Sequence, residues 1–352
     1  MLTPWGFPDF DAHEALHFID DRASGLRAII AVHSTHLGPA TGGTRFWHYA
    51  DDADGLTDVL RLSRGMSYKN AMAGLPLGGG KAVILASTDR TKTVEQLAAY
   101  GKAIAQLGGQ YVTAEDVGMT VGDMTEIARQ TKYVAGLPAA GSAAGGDPGP
   151  HTSLGVFLGI KAAVKRALGK DSVAGLHIAL QGAGSVAKGV ALHAATEGAR
   201  LTIADIDAAR AQALASQVGG AVVDPTALLA IEADVISPNA LGAILTEASI
   251  AALNTPIVAG GANNQLATDA DGKRLQARGI LYAPDYVINA GGMINVSTEY
   301  VGDGDALVVR QRIEAIPERL ERIWAESAAG GHDPAAVADA MAQAMIGRRT
   351  AP

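Results

Sequence analysis

The chain reads as an α/β protein of two domains, the second a doubly wound parallel sheet, and three observations carry that reading. Its 352 residues are long enough for two domains. Beyond residue 177, short apolar runs at 177–181, 200–204, 234–237 and 256–259 alternate with helical stretches, the pattern of parallel strands joined by crossover helices. The first of these runs enters Gly182-Ala183-Gly184-Ser185-Val186-Ala187, a G-x-G-x-x-A match at a strand-to-helix turn.

Taken in order, residues 15–20 and 26–34 are β-rich and joined by Asp21-Arg22-Ala23-Ser24-Gly25, which reads as a hairpin. His13-Glu14-Ala15-Leu16-His17 matches the zinc-protease pattern H-E-x-x-H, which needs both imidazoles on one helical face. Leading into a strand, the two histidines would instead stand more than about 12 Å apart. A helix covers about 54–73, where Leu56, Val59, Leu60 and Ser63 recur at helical spacing, and it carries Lys69. Next comes Pro76-Leu77-Gly78-Gly79-Gly80-Lys81, with Lys81 at the mouth of a strand behind three glycines. Thr93-Val94-Glu95-Gln96 is a capping box opening a helix that Gly108-Gly109 ends, and the strand at 111–114 runs into Glu115-Asp116.

The Pro/Gly/Ala-rich stretch 138–150 cannot hold a regular element. It divides a catalytic, substrate-binding and oligomerisation domain, 1–141, from a dinucleotide-binding domain, 142–323. A helix spans 152–168, and the helical stretch from about 324 to 349 places 324–352 back on the first domain.

Hydrophobic content of 48% with 18% charged residues suits a soluble globular protein. A net charge of -8 and no Lys/Arg-rich run offer nothing to a nucleic-acid backbone. Without cysteine there are neither disulfides nor thiolate metal sites. The start lacks a signal-peptide pattern and no apolar run approaches about 20 residues, so a cytoplasmic protein with no membrane partner is expected. Asn295-Val296-Ser297 fits the glycosylation pattern, by accident in such a protein.

Lys81 carries the chemistry. In a glycine-walled, partly dry pocket its neutral form is favoured, and a second ammonium from Lys69 would favour it further, making a base near neutral pH. In the Gly182 loop the first glycine permits the tight turn, Gly184 lets a pyrophosphate approach the backbone, and Ala187 allows close helix packing. Asp205 ends the next strand, 205 minus 184 or 21 positions on, where an acid accepts from ribose hydroxyls and repels a 2′-phosphate. NAD is therefore expected over NADP, and no metal. Gly80-Lys81 is no P-loop, since Ala82 replaces the magnesium-binding hydroxyl and the strand follows the glycines. Plainer readings remain open at this point: a lysine–carboxylate pair serving stability, Asp116 and Asp205 as helix caps, and Thr41, Met293 and Val296 as core packing.

Seven blocks in order widen the view. They are Gly38-Pro39-Ala40-Thr41-Gly42-Gly43-Thr44-Arg45, Gly65-Met66-Ser67-Tyr68-Lys69, Gly78-Gly79-Gly80-Lys81, Thr113-Ala114-Glu115-Asp116-Val117-Gly118, the Gly182 loop, residues 261–266 and residues 283–292. With them the chain resembles the Glu/Leu/Phe/Val amino-acid dehydrogenases, nearest to the leucine and valine enzymes. The resemblance implies oxidative deamination of an L-amino acid to a 2-oxo acid and ammonia in a cleft between the domains. Lys69 and the Gly42-Gly43 backbone would hold the substrate carboxylate. After hydride passes from Cα to the nicotinamide, water activated by Lys81 would attack the iminium, with Asp116 relaying a proton. Thr152, Asn239, Ala240, Asn263 and Asn289 would line the nicotinamide end, with Asn263 also at the substrate. Thr41, Ala114, Met293 and Val296 would wall a mainly apolar side-chain pocket, which points to leucine or valine and away from glutamate. Thr41 and Met293 depart from the residues usual in the leucine enzymes. An aromatic substrate, or an NAD-binding sensor without turnover, are the alternatives. Homo-oligomerisation through the N-terminal strands is implied as well.

Overall fold

A computed structural model describes residues 3–138, 143–240 and 242–348. Contacts within the chain gather into two units: Met1–Gly146 with Asn295–Ala306 and Ala342–Pro352, and Asp147–Ile294 with Leu307–Met341. The junction expected between 141 and 142 lies outside the described residues.

The first unit is a mixed sheet covered on both faces. Strands β1 (Ala15–Asp21) and β2 (Leu26–Ser34) form the antiparallel hairpin read from the sequence. Strand β3 (Ala40–Trp47), helix α1 (Asp52–Met72), strand β4 (Gly78–Leu85), helix α2 (Val94–Gln106), strand β5 (Tyr111–Glu115) and helix α3 (Val121–Ala128) follow. The sheet order is β1-β2-β4-β3-β5, with β3 parallel to both neighbours. Two-residue alternation sends Ala82 and Ile84 of β4 toward Leu97, Tyr100 and Ile104 of α2, and Val83 toward Leu56, Val59 and Leu60 of α1. Asp51 caps α1 on the Ala53 N–H, and Thr93 and Gln96 make the reciprocal capping box that opens α2.

In the second unit, α4 (Gly149–Leu168) precedes β6 (His177–Gln181), α5 (Ser185–Thr196), β7 (Arg200–Ala204), α6 (Ala208–Val218), β8 (Ala221–Val222) and β9 (Val235–Pro238). Then come α7 (Glu247–Ala252), β10 (Ile257–Val258), α8 (Ala270–Ala277), β11 (Leu281–Tyr282), α9 (Asp285–Ile288), α10 (Gly291–Val301), which from Asn295 onward groups with the first unit, and α11 (Ala306–Glu314). All strand pairs in this sheet are parallel, in the order β11-β10-β9-β6-β7-β8. The order reverses between β6 and β9, the switch point at which such sheets bind ligands beyond their carboxyl ends. The Gly182 loop leaves β6 there.

The helical stretch expected from about 324 to 349 falls on two helices, α12 (Ile316–Gly330), which begins earlier, and α13 (Pro334–Met345). Gly331, at φ +70°, ends α12 in the left-handed conformation, and its N–H bonds Ser327 O. His13 precedes β1 and bonds Leu60 O and Ser63 Oγ, whereas His17 lies within β1, so the two share no helical face. Asn295 of the glycosylation pattern is fully buried on α10, exchanging two hydrogen bonds with the Gly145 backbone. Among the described residues no helix is long and apolar enough to cross a membrane.

Candidate active site

Lys81, expected at a strand mouth, is the fourth residue of β4 and is paired with Ala31 of β2. Its side chain is 8% exposed, and its Nζ lies 2.9 Å from Oδ2 of Asp116, just beyond β5. The same oxygen lies 3.3 Å from Arg45 Nε on β3. Arg45 in turn donates from Nη1 to Asp58 Oδ2 at 2.8 Å, an oxygen that also accepts from the Tyr49 hydroxyl at 2.6 Å. Burial of Asp116 opposes its ionisation, but the charges of Lys81 and then Arg45 outweigh it and hold the carboxyl at about 2. It is an anion at neutral pH. Asp116 does not cap α3, because Thr120 does.

The glycines before Lys81 are close-packed by protein. A Cβ on Gly78 would stand 2.0 Å from Ser34 O, one on Gly79 2.0 Å from Ser67 N, and one on Gly80 2.8 Å from the Tyr111 ring. They are therefore needed to admit neighbouring strands and α1, the close backbone approach that glycines permit. Gly42 and Gly43 behave alike: added Cβ atoms would meet Gly80 O at 1.9 Å and Glu115 O at 2.5 Å.

This close approach also holds the end of α1 that carries Lys69. Asn70 Nδ2 donates to Gly78 O at 2.6 Å, and Ser67 Oγ bonds His33 Nδ1 at 2.7 Å. His33 Nε2 reaches Asp11 Oδ2 at 3.1 Å. Although Ser67, His33 and Asp11 have the composition of a hydrolytic triad, Ser67 and His33 are fully buried and no substrate carbonyl could reach the hydroxyl. Lys69 itself is half-buried in the last turn of α1, one turn after Met66, which packs against the Gly42 position.

Among the residues expected at the side-chain pocket, Thr41 is fully buried and donates to Pro39 O, and Ala114 is buried on β5 in register with Gly43. Met293 is half-buried and Val296 buried, three positions apart on one face of α10. Glu299, a turn further on, accepts from the Gly136 and Leu137 N–H groups.

In the second unit Gly182 adopts φ +98°, and a Cβ there would press on Ala240 at 3.0 Å. Gly184 is the N-cap of α5 with no side-chain cap and open space where a Cβ would stand. The first-turn N–H groups of α5, beginning with Ser185 and Val186, thus present an uncovered anion site. Asp205 accepts from Ala183 N at 2.7 Å and from Asp207 N at 2.8 Å, tying the end of β7 to the loop. Asp207, not Asp205, caps α6.

Asn239, Asn263 and Asn289 form one cluster. Gly261 N donates to Asn239 Oδ1 at 2.9 Å, while Asn289 Nδ2 donates to Gly261 O at 3.1 Å and Asn263 Oδ1 at 2.8 Å. The remaining amide oxygen of Asn289 is buried without a protein donor. A buried acceptor of this kind suits an amide N–H from outside the chain, such as a carboxamide. Thr152, in the first turn of α4, donates to Pro148 O and leaves its hydroxyl oxygen able to accept. The cradle at Gly184, the bare helix end and this acceptor together fit a nicotinamide dinucleotide.

Two groups at the site were not singled out from the sequence. Arg45 appears there only as the last residue of a glycine-rich block, and Asp58 is not named; their contact is a product of packing α1 on the sheet.

A family model for the Glu/Leu/Phe/Val dehydrogenase dimerisation domain matches residues 13–133, and one for Glutamate/Leucine/Phenylalanine/Valine dehydrogenase matches 203–346. The chain is 45% identical over 337 residues to a leucine dehydrogenase of Bacillus subtilis, covering 96% of this chain and 92% of that protein. A valine dehydrogenase of Streptomyces albus is 42% identical over 340 residues, covering 95% and 92%. The crystal structure of L-tryptophan dehydrogenase from Nostoc punctiforme superposes with a TM-score of 0.82 at 40% identity, covering 95% of this chain and 96% of that one. The chain belongs to the Glu/Leu/Phe/Val dehydrogenase family and is an amino-acid dehydrogenase, an enzyme dependent on NAD(P).

Proposed function

We propose that the enzyme deaminates an apolar, branched-chain L-amino acid such as leucine or valine with NAD, giving the 2-oxo acid, ammonia and NADH, and catalyses the reverse reductive amination. The observation that carries this reading is the buried Lys81–Asp116 pair at 2.9 Å, in a chain similar to leucine and valine dehydrogenases over nearly its whole length. Lys69 and the Gly42-Gly43 backbone bind the substrate carboxylate. Thr41, Ala114, Met293 and Val296 surround its side chain; none is charged, so a glutamate side chain would go unpaired. Lys81 first passes its own proton to Asp116, a single hydrogen-bond length away, and as the neutral amine then takes one from the attacking water.

NAD, when bound, accepts the Cα hydride. The Gly182, Gly184, Ser185 and Val186 backbone receives its pyrophosphate and Asp205 its ribose, where the carboxylate disfavours a 2′-phosphate. Thr152, Asn239, Ala240, Asn263 and Asn289 orient the nicotinamide. Residues 1–141 serve substrate binding and assembly and 142–323 the dinucleotide; of the C-terminal stretch expected to return to the first domain, only the part from Ala342 groups with the first unit, and 324–341 groups with the second. We further assign a homo-oligomer in the cytoplasm; the dimerisation-domain match supports the assembly, and the edge strand β1, with Phe18 61% exposed, is a suitable contact for it. The likeness to L-tryptophan dehydrogenase favours an aromatic substrate as the second reading.

An L-amino-acid panel followed by NADH formation distinguishes the two, since turnover of phenylalanine or tryptophan with little for leucine overturns the first. Lys81→Ala in the same panel is expected to abolish deamination and leave NAD binding nearly intact.

A further inference from the structure

The Lys81–Asp116 pair has a second cation whose position is fixed from outside. Arg45 stands 3.3 Å from the very carboxylate oxygen that faces Lys81, and it is held there by Asp58 at 2.8 Å, itself steadied by the Tyr49 hydroxyl. With side chains 25% exposed for both Arg45 and Asp58, this bracket lies largely inside the first unit.

We propose that Arg45 is a positioning residue for the reaction: braced by Asp58, its guanidinium fixes the Asp116 carboxylate against Lys81 and returns the proton to Lys81 after each transfer. This rests on the roles of Lys81 and Asp116 proposed above. In the transfer, one proton leaves the Lys81 ammonium for Asp116 Oδ2, so that an ammonium and a carboxylate become an amine and a carboxylic acid, and no other bond changes. Once the lysine is neutral, burial alone would keep the proton on the acid. Arg45 retains its charge throughout, and at that distance it disfavours the protonated oxygen. The groups facing Asp116 are Lys81 from β4, Arg45 from β3 and, behind Arg45, Asp58 from α1 with Tyr49; Tyr111 of β5 is a protonated phenol donating to Gly42 O. A lysine at position 45 would keep the charge but lose the fork that spans both carboxylates.

The test is kcat and KM for L-leucine across pH in wild type, Arg45→Gln, Arg45→Lys and Asp58→Asn, beside Lys81→Ala and Asp116→Asn, with thermal melts to establish folding. Arg45→Gln should lower kcat roughly tenfold or more with KM for leucine little changed. Its acid limb in kcat should move up by roughly one to three pH units. Arg45→Lys should restore the limb without full kcat, and Asp58→Asn should lower kcat with no upward shift. Wild-type kcat and pH profile in Arg45→Gln overturn the proposal, as does an equal limb shift in Arg45→Lys. If Arg45→Gln does not fold, wild-type kcat in both other variants overturns it. Deamination retained by Lys81→Ala and Asp116→Asn would instead refute the underlying reading, whereas their inactivity beside an unaffected Arg45→Gln removes only the role of Arg45.

Discussion

Acid should release the Lys81–Asp116 pair within a defined window, and Asp116→Asn isolates that effect. In the folded chain Asp116 is held at about 2 against an ordinary value of 3.8, because two cations outweigh its burial. A difference of nearly two pH units corresponds to about 2 kcal/mol of stability. Since the folded value is the lower one, this contribution is complete above the unfolded value near 4 and disappears as pH falls through about 2. Asp11, beside His33 and Arg348, is also held at about 2 and is lost in the same window. Wild type alone would mix the two, and the difference between wild type and Asp116→Asn cancels Asp11. At neutral pH the amide leaves a buried ammonium without a counter-charge, so the variant should be the less stable by several kcal/mol. Urea unfolding followed by tryptophan fluorescence, from about pH 7 to about pH 3, measures the gap. It should narrow steadily below about pH 4. A gap that stays constant over that range would show that Asp116 is not held as an anion by its neighbours, and the electrostatic reasoning would fail.

Two glycine substitutions separate packing from ligand binding. Gly79→Ala drives a Cβ to 2.0 Å from Ser67 N and 2.2 Å from Ser67 Oγ, so α1 must lift from β4 at an expected cost of about 3 kcal/mol, readable as a lower urea midpoint. Gly184→Ala meets nothing within 4 Å and has φ -74°, so its melting temperature should match wild type while KM for NAD rises roughly tenfold. A destabilised Gly184→Ala with unchanged KM for NAD would contradict the anion site at α5.

Much of the fold is written locally. The hairpin of β1 and β2, the capping box of α2 and the run from β6 through the Gly182 loop depend on residues a few positions apart, and each matches its expected element. β3 was not legible as a strand. Two adjacent glycines and few β-branched residues weaken its intrinsic preference, and pairing with β4 and β5 on both sides is what makes it one. The C-terminal helices were legible in kind but not in number, because Gly331 reads the same inside a weak helix as at its end.

Among the site residues, the Lys81 and Gly182 motifs were visible from residue types at fixed spacing. Which groups those motifs meet was settled by tertiary structure alone. Lys81 lies in β4 and Asp116 just past the end of β5, and Arg45 and Asp58 in a strand and a helix, brought into contact by close packing across glycines at 42, 43, 79 and 80. Local chemistry acts over one or two turns of chain and is carried by neighbouring residues. The charge on Asp116 depends on how closely β3 and β4 bring their cations to the end of β5, and that distance is a property of the packed sheet.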